Sequence, residues 1–284
     1  MLSIQKLSKT YTDGTQALSS IDLQLPKGMV GLLGPNGAGK STLMRTIACI
    51  QPPDDGCIDF VGIDVLNDPM TLRKKLGYLP QYFGVYPNMS CKALLKHMAV
   101  LKGVTDKSEQ KRQIENLLDI TNLSRVANKK VSTFSGGMRQ RFGIAQALLG
   151  DPELVIMDEP TAGLDPSERE SLHSLLINLS EQKLVLLSTH IVEDIENLCP
   201  HVAIINQGKI IQSLGVKTLL NGLSNKVWVS DEAPPDDCLV LSKSYQYGQS
   251  RYRIYSETQP TPNATLEIPS LQDCYFLELK RSEV

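Results

Sequence analysis

The residues best suited to chemistry form a glycine-rich stretch near the N-terminus. The stretch runs Gly34-Pro35-Asn36-Gly37-Ala38-Gly39-Lys40-Ser41-Thr42 and fits the pattern G-x-x-x-x-G-K-[ST]. Glycines at this spacing let successive backbone N–H groups curl around phosphate oxygens. The lysine then supplies a mobile positive charge, and the serine hydroxyl can ligate Mg²⁺. We therefore predict a site for a nucleoside triphosphate and Mg²⁺.

The residues on either side of this stretch support the prediction. The apolar run Met29–Leu33 predicts a buried strand, and Leu43–Ile50 predicts a helix that stops before Pro52. A strand, a glycine turn and a helix in this order are the context that the pattern requires. The alternative is an ordinary glycine turn that happens to precede Lys-Ser, and it would not require that context.

Two further apolar runs end in polar residues. The first, Leu154–Met157, leads into Asp158 and Glu159, which at a strand end could bind Mg²⁺ and orient or deprotonate water, respectively. The second, Leu184–Leu187, leads into Ser188-Thr189-His190. Alternatively, Asp158 and Glu159 could be ordinary exposed acids at a strand end, and His190 could have a structural role. At the same edge of a parallel sheet, however, the histidine would lie level with the acids and could contact the γ-phosphate.

Two weaker signals concern anion and base binding. Ser135-Gly136-Gly137 opens a predicted helix, whose N-terminal N–H groups and dipole attract anions, although Ser-Gly-Gly is also a common turn. Tyr11 lies just before the turn-rich segment 12–15. Its ring could stack on a base, or it could be a core tyrosine at a strand end.

Composition limits the classes of function. The 284 residues carry 29 Lys and Arg against 31 Asp and Glu, a net charge of −2, which gives no global field favouring nucleic acid or an acidic membrane. The six cysteines are scattered without a C-x-x-C pair, which indicates reduced thiols rather than disulfides or zinc. No apolar run approaches the roughly 18 residues of a membrane span. We expect a cytosolic chain whose membrane role, if any, needs a partner.

The pattern of the remaining segments predicts their organisation. Residues 1–28 predict a small antiparallel sheet, 88–130 a helical insertion with Ser90 as a candidate N-cap, and 202–211 a hairpin. Behind Ser135-Gly136-Gly137, the run Phe142–Leu149 predicts the rest of a helix. Residues 218–284 differ from the rest of the chain and predict strands at 226–229 and 238–241 around the acidic, proline-rich segment 231–237. Segments 245–247 and 252–255 predict a hairpin turning at Gly248-Gln249-Ser250, and a short capped helix is predicted near the end. The interleaved Tyr and Arg residues of that hairpin could form an RNA-binding face, but tyrosines on a half-buried strand are favoured in these neutral to acidic surroundings.

Taken in order along the chain, these motifs resemble those of the ATP-binding cassette (ABC) ATPases. The resemblance covers about residues 1–217 and matches the family motifs as follows: Gly34–Ser41 the Walker A loop, Gln81 the Q-loop, Ser135-Gly136-Gly137 the signature, Leu154–Asp158 with Glu159 the Walker B strand and catalytic glutamate, Gly163-Leu164-Asp165 the D-loop, His190 the switch histidine and Tyr11 the adenine-stacking position.

The resemblance implies roles for these residues. Lys40, Gln81, Glu159 and His190 would be catalytic, and Mg²⁺ would be held by Ser41, Gln81 and Asp158. ATP would contact Tyr11, the loop from Gly34 to Thr42, Gln81, the signature Ser135-Gly136-Gly137 and Asp165, with the signature supplied by a second copy.

The implied fold is an α/β P-loop NTPase (RecA-like) core with two subdomains. An N-terminal antiparallel β subdomain would precede the core strands, and an α-helical subdomain would be inserted at about 88–150. The cassette would end near 217, and 218–284 would form a small α+β C-terminal extension.

The sequence departs from the common family pattern at two places. The signature reads Phe134-Ser-Gly-Gly-Met138 rather than Leu-Ser-Gly-Gly-Gln, and Gln146 stands where arginine is frequent. The phosphate-contacting Ser and Gly positions are intact, so hydrolysis is still expected. Met138 before Arg139, together with the tail Pro269–Asp273, resembles the cassettes of two-component drug, antibiotic and polysaccharide exporters.

The expected function is therefore that of an ATP-hydrolysing transporter subunit. Two copies, expected to form a homodimer, would close on ATP and drive a separate multi-span permease at the cytoplasmic face of the membrane, with export favoured. An importer subunit remains an alternative because the motifs are common to both directions. A cassette acting on DNA or ribosomes is a further alternative, but the insertion is short and lacks sustained heptads, and only one P-loop is present.

Overall fold

The computed structural model describes residues 1–236 and 238–282. Asp237, in the predicted acidic segment 231–237, and the last two residues of the predicted C-terminal extension lie outside the described residues. The strands are β1 (Leu2–Thr10), β2 (Gln16–Leu25), β3 (Gly28–Leu33), β4 (Asp55–Phe60), β5 (Ile63–Asp64), β6 (Leu76–Leu79), β7 (Leu154–Asp158), β8 (Leu184–Ser188), β9 (His201–Asn206), β10 (Lys209–Gly215), β11 (Val227–Ser230), β12 (Leu239–Gln246), β13 (Gln249–Tyr255) and β14 (Thr265–Leu266). The helices are α1 (Lys40–Ile47), α2 (Pro69–Lys75), α3 (Cys91–Leu101), α4 (Lys107–Ile120), α5 (Gly136–Ala147), α6 (Pro166–Ser180), α7 (Val192–Leu198), α8 (Val216–Gly222) and α9 (Leu271–Ser282).

A six-stranded sheet forms the centre of the molecule. Its order is β10-β9-β3-β8-β7-β6, and all neighbours are parallel except the β9–β10 hairpin. Every residue of β7 and β8 is buried, as expected for apolar strands covered by helices on both faces. The carboxyl ends of β3, β7 and β8 meet at one edge, where ligands bind in open parallel sheets. The predicted α/β P-loop fold is confirmed.

A second sheet, of order β2-β1-β4-β5, is antiparallel throughout. It contains the antiparallel pair predicted for residues 1–28. Its apolar side chains share a core with the inner face of α1, including Leu7, Ile21, Leu43 and Met44. The sheet therefore packs on the helix that follows the glycine loop.

The predicted helical insertion consists of α3 and α4. Ser90 caps α3 as predicted, since its side chain accepts a hydrogen bond from the Ala93 N–H at 3.3 Å. Asp106 caps α4 in the same way through the Glu109 N–H at 2.8 Å. Helix α5 follows and begins directly at Gly136, and it ends at Ala147, two residues before the predicted end at Leu149.

The third sheet, of order β12-β13-β11-β14, differs from prediction in its hairpin. The segments predicted as separate strands at 238–241 and 245–247 form the single strand β12, and the turn lies at Tyr247-Gly248 rather than at 248–250. Both turn residues have positive φ, 51° and 81°, which is the conformation that a two-residue hairpin turn requires. Helix α9, predicted to be short, spans twelve residues.

The C-terminal segment packs against the central sheet. Leu271 and Leu277 of α9 belong to the same buried cluster as Val202 and Ile204 of β9. Helix α8 runs across the predicted domain boundary at 217/218, so that boundary stays a prediction. Within residues 1–236 and 238–282, no helix combines the length and apolar character needed to cross a bilayer.

Candidate active site

The glycine loop connects β3 to α1 at the carboxyl edge of the central sheet. Gly37 and Gly39 have φ of 81° and 106°, a region that other residues enter only with strain. At Gly39, a Cβ would also come within 2.5 Å of the Ala17 carbonyl oxygen, and at Gly34 within 2.3 Å of the Ile205 carbonyl oxygen. The spacing of glycines therefore follows from backbone conformation and from close packing against β2 and β9.

Lys40, the first residue of α1, is buried inside this loop with 8% of its surface exposed. Its Nζ donates hydrogen bonds to the carbonyl oxygens of Gly34 at 2.6 Å and Pro35 at 3.1 Å. Burial lowers the pKa of the ammonium group, and the charges of Glu159 and Asp158 act in the opposite direction. The lysine is thus a buried cation held by backbone dipoles and two acids, where an entering phosphate would find a donor.

The two acids stand at the end of β7, and both are almost fully buried. Asp158 is 3% exposed and Glu159 7% exposed. One carboxylate oxygen of Asp158, Oδ1, accepts a hydrogen bond from the Ser188 hydroxyl at 2.5 Å. The Glu159 N–H donates to the Ser188 carbonyl oxygen at 3.0 Å. One residue of the neighbouring strand β8, Ser188, therefore contacts both acids.

His190 lies two residues beyond Ser188 and reaches back to the second acid. Its Nδ1 donates to the Glu159 Oε2 at 2.7 Å, while its ring remains 62% exposed. The structure therefore brings His190 and Glu159 together. The predicted contact of His190 with a γ-phosphate stays a prediction.

Lys40 and the two acids line one cavity of about 310 Å³, whereas His190 and Ser188 contact the acids without lining it. The predicted site residues that line it are Tyr11, Asn36, Gly37, Gly39, Lys40, Ser41, Thr42, Gln81, Asp158 and Glu159. Gly34, Pro35 and Ala38 belong to the loop without lining the cavity. A larger cleft of about 600 Å³ lies at the other end of α1, but it contains none of these residues. The clustered chemistry, rather than size, identifies the candidate site.

Tyr11 stands at the rim of this cavity. Its hydroxyl lies 3.0 Å from the Thr42 Oγ1 and 3.4 Å from the Gln51 Oε1, and 37% of the residue is exposed. The ring is therefore not a core residue. Stacking on a base remains a prediction that this position allows.

The signature and the D-loop aspartate lie apart from the cavity. Ser135 caps α5, accepting from the Met138 N–H at 3.2 Å. Asp165 caps α6, accepting from the Glu168 N–H at 2.8 Å, a bond that lowers the pKa of the Asp165 carboxyl. An ion pair of 3.3 Å between Arg141 and Glu168 ties these two helices together. None of Ser135, Gly136, Gly137 and Asp165 lines the cavity, so a single chain does not bring all the predicted site residues together.

The predicted metal ligands do converge. The Ser41 hydroxyl, the Gln81 amide and the Asp158 carboxylate line the same cavity. All three offer oxygen, which is the donor that Mg²⁺ prefers, and only one is charged, as is usual where substrate phosphates supply the remaining ligands. These residues fit Mg²⁺.

Sequence reasoning missed two contributors. Ser188 contacts Asp158, and the cavity is also lined by Thr15 of the β1–β2 turn and by Gln16 and Ala17 at the start of β2. The sequence signal for Ser188 was its place directly after the predicted strand Leu184–Leu187, but the pairing of that strand with β7 is known only from the structure. No short-range pattern marks residues 15–17, which reach the cavity because β2 packs over the glycine loop.

Comparison with known proteins agrees with this geometry. A family model described as "ABC transporter" matches residues 18–162. Similar proteins include the linearmycin resistance ATP-binding protein LnrL of Bacillus subtilis, 37% identical over 77% of this chain and 70% of that protein. The daunorubicin/doxorubicin resistance ATP-binding protein DrrA of Streptomyces peucetius is 35% identical over 78% of this chain and 67% of that protein. The Nod factor export ATP-binding protein I of Cupriavidus pinatubonensis is 36% identical over 74% and 65%.

Solved structures with the same fold are also ATP-binding cassettes. A dimeric cassette in a post-hydrolysis state, bound to ADP and Pi, superposes with a TM-score of 0.69 and 27% identity, covering 76% of this chain and 98% of that one. The ATP-binding subunit of an ABC transporter gives a TM-score of 0.71 with 28% identity, covering 79% and 93%.

Proposed function

The chain belongs to the ABC transporter family as an ATP-hydrolysing subunit, and we propose that it closes with a second copy on ATP and drives a separate membrane permease in export. Export is favoured because similar proteins are named for antibiotic resistance and for Nod factor export. The departures at Met138 and Gln146 leave Ser135, Gly136 and Gly137 intact.

Within one protomer, each group has a distinct proposed role. Glu159 orients and polarises the attacking water, Lys40 neutralises charge that develops on the transferred phosphoryl group, and His190 holds Glu159 and approaches the γ-phosphate. Mg²⁺, held by Ser41, Gln81 and Asp158, would add charge neutralisation at the phosphates. The buried setting of Lys40 and both acids strengthens these interactions because water screens them little.

One observation carries the proposal that two copies share the site. The cavity is lined by the loop, the acids and Gln81, but not by Ser135-Gly136-Gly137 at the start of α5. The N-terminus of α5 is a second potential anion-binding site, and its place outside its own cavity is explained if it closes over the cavity of a partner. Asp165, at the start of the helix paired with α5, would join the same interface.

The proposed permease contact lies next to Gln81. Tyr82 is 85% exposed, Tyr86 54% and Leu101, at the end of α3, 70%. Exposed apolar side chains on this stretch of the chain support a protein contact. We propose that they receive a helix of the membrane subunit, so that movement of Gln81 on nucleotide binding is transmitted to the permease. This attachment would hold the chain at the cytoplasmic face of the membrane.

Purification from detergent-solubilised membranes tests the proposed partner. The tagged chain should retain a protein with several membrane spans through washing, and Tyr82→Ala together with Leu101→Ala should release it. The variant Lys74→Ala serves as the surface control, because Lys74 is exposed but lies on α2, outside the proposed contact. It should retain the membrane protein. Recovery of ribosomes or DNA without a membrane protein would contradict the transport proposal and favour the alternative class.

A further inference from the structure

We propose that Ser188 is a positioning residue that fixes the carboxylate of Asp158 for Mg²⁺·ATP. The inference rests on the proposed function, in which Asp158 is a metal ligand. Ser188 belongs to none of the motifs recognised in the sequence, and its side chain points at the acid rather than at the cavity lining.

The geometry of two paired strands creates this contact. Asp158 ends β7 and Ser188 ends β8, and the two residues are direct partners in the parallel register. The Ser188 hydroxyl donates a hydrogen bond to Asp158 Oδ1 at 2.5 Å. Among the described residues, this is the side-chain hydrogen bond that Asp158 makes, so Oδ2 is the oxygen left for a ligand.

Ser188 and Asp158 are both buried, so the loss of their hydrogen bond would not be compensated by solvent. Ser188 is fully buried and Asp158 is 3% exposed, so little water is present to replace the hydroxyl if it is lost. A carboxylate with one oxygen fixed has a single preferred orientation about its terminal bond. Groups that orient a metal ligand in this way raise metal affinity without touching the metal.

Ser188 acts on the two acids through separate groups. Its hydroxyl holds Asp158, whereas its carbonyl oxygen accepts from the Glu159 N–H. Thr189, the next residue, has a different partner, because its Oγ1 accepts from the Ile191 N–H at 3.0 Å. Removing the Ser188 hydroxyl therefore affects the proposed metal ligand and leaves the backbone contact to Glu159 in place.

The test measures how nucleotide binding depends on Mg²⁺. Binding of trinitrophenyl-ATP is followed during Mg²⁺ titration of the full chain and of Ser188→Ala, and again in EDTA. We expect the variant to need on the order of ten-fold more Mg²⁺ for half-saturation, the lower range for lost groups that orient a metal ligand. Its affinity in EDTA should match the unsubstituted chain, and its kcat should recover at high Mg²⁺.

Two further variants complete the design. Ser188→Cys is close in size but replaces a strong donor by a weak one, so it should show the same Mg²⁺ shift and serves if the alanine variant does not fold. Thr121→Val removes another buried hydroxyl, which donates to the Leu117 carbonyl oxygen at 2.6 Å in the helical insertion. That variant should keep the original Mg²⁺ dependence.

Two results would overturn the inference. They are an unchanged Mg²⁺ dependence in Ser188→Ala, or an equal loss of affinity with and without Mg²⁺. A chain without substitutions that binds no nucleotide in either condition would instead contradict the proposed function.

Discussion

Glu159 has a backbone conformation that its residue type disfavours. Its φ is 55°, the left-handed region, which costs a residue with a Cβ roughly 1–2 kcal/mol. The conformation turns the chain directly after β7, where Glu159 can meet His190 while its N–H reaches Ser188. Strain at a site residue of this kind is stabilised by the surrounding contacts and is common where function fixes geometry.

The strain predicts an unusual difference between two substitutions. Glu159→Gly and Glu159→Ala both remove the carboxylate, but only glycine adopts this φ without strain. Glu159→Gly should therefore be more stable than Glu159→Ala by about 1 kcal/mol, measured by urea unfolding of the nucleotide-free chain. If the alanine variant is as stable as the glycine variant, Glu159 does not carry this backbone strain.

At the scale of residues, the sequence predicted the groups that belong to contiguous motifs. The loop from Gly34 to Thr42, and the acids after an apolar strand, are marked by spacing alone. Ser188 was not predicted as a site residue because its role depends on which strand lies beside β7. Register across a sheet is a long-range property, and no local pattern states it.

Among the elements, α5 and β6 approach each other unusually closely. A Cβ on Gly77 of β6 would lie 2.3 Å from the Ala147 carbonyl oxygen at the end of α5. The obstacle is backbone, which cannot move aside as a flexible side chain can. This contact fixes the helix that carries the signature at its N-terminus relative to the central sheet.

Gly77→Ala tests that packing. The added methyl should lower the free energy of unfolding by about 1–3 kcal/mol, the usual cost of overfilling a packed interior. Gly84→Ala is the matched control, because nothing lies within 4 Å of its added Cβ and its φ is not in the left-handed region. Equal stability of the two variants in urea would show that α5 and β6 are free to separate.

Elements were predicted well where their ends carry local signals. Ser90 was identified as a cap from its residue type, and the structure confirms it. The predicted position of the hairpin turn was wrong by one residue. A tyrosine with positive φ is uncommon, so the prediction started the turn at Gly248, whereas the structure starts it at Tyr247. The contact between α5 and β6 could not be predicted, since Gly77 in the sequence resembles any glycine in a strand.

At the scale of the whole molecule, the C-terminal segment and the central sheet form one continuous core. The C-terminal segment joins the central core through Leu271 and Leu277, and the Leu271 N–H donates to the Glu196 Oε2 at 3.0 Å. The sequence predicted a separate C-terminal segment because the residue pattern changes there. It did not predict how the segment packs, because that packing depends on contacts between residues far apart in the sequence. The cavity and the signature remain apart within one copy.

The most direct test of the shared site is the mass of Glu159→Gln with and without Mg²⁺·ATP. Because the variant should bind ATP but scarcely hydrolyse it, light scattering should show a monomer of 31.3 kDa without nucleotide and a dimer with it. Glu153→Gln, an exposed acid outside the cavity, should hydrolyse ATP normally and accumulate no such dimer. A Glu159→Gln chain that demonstrably binds ATP and stays monomeric would contradict the account.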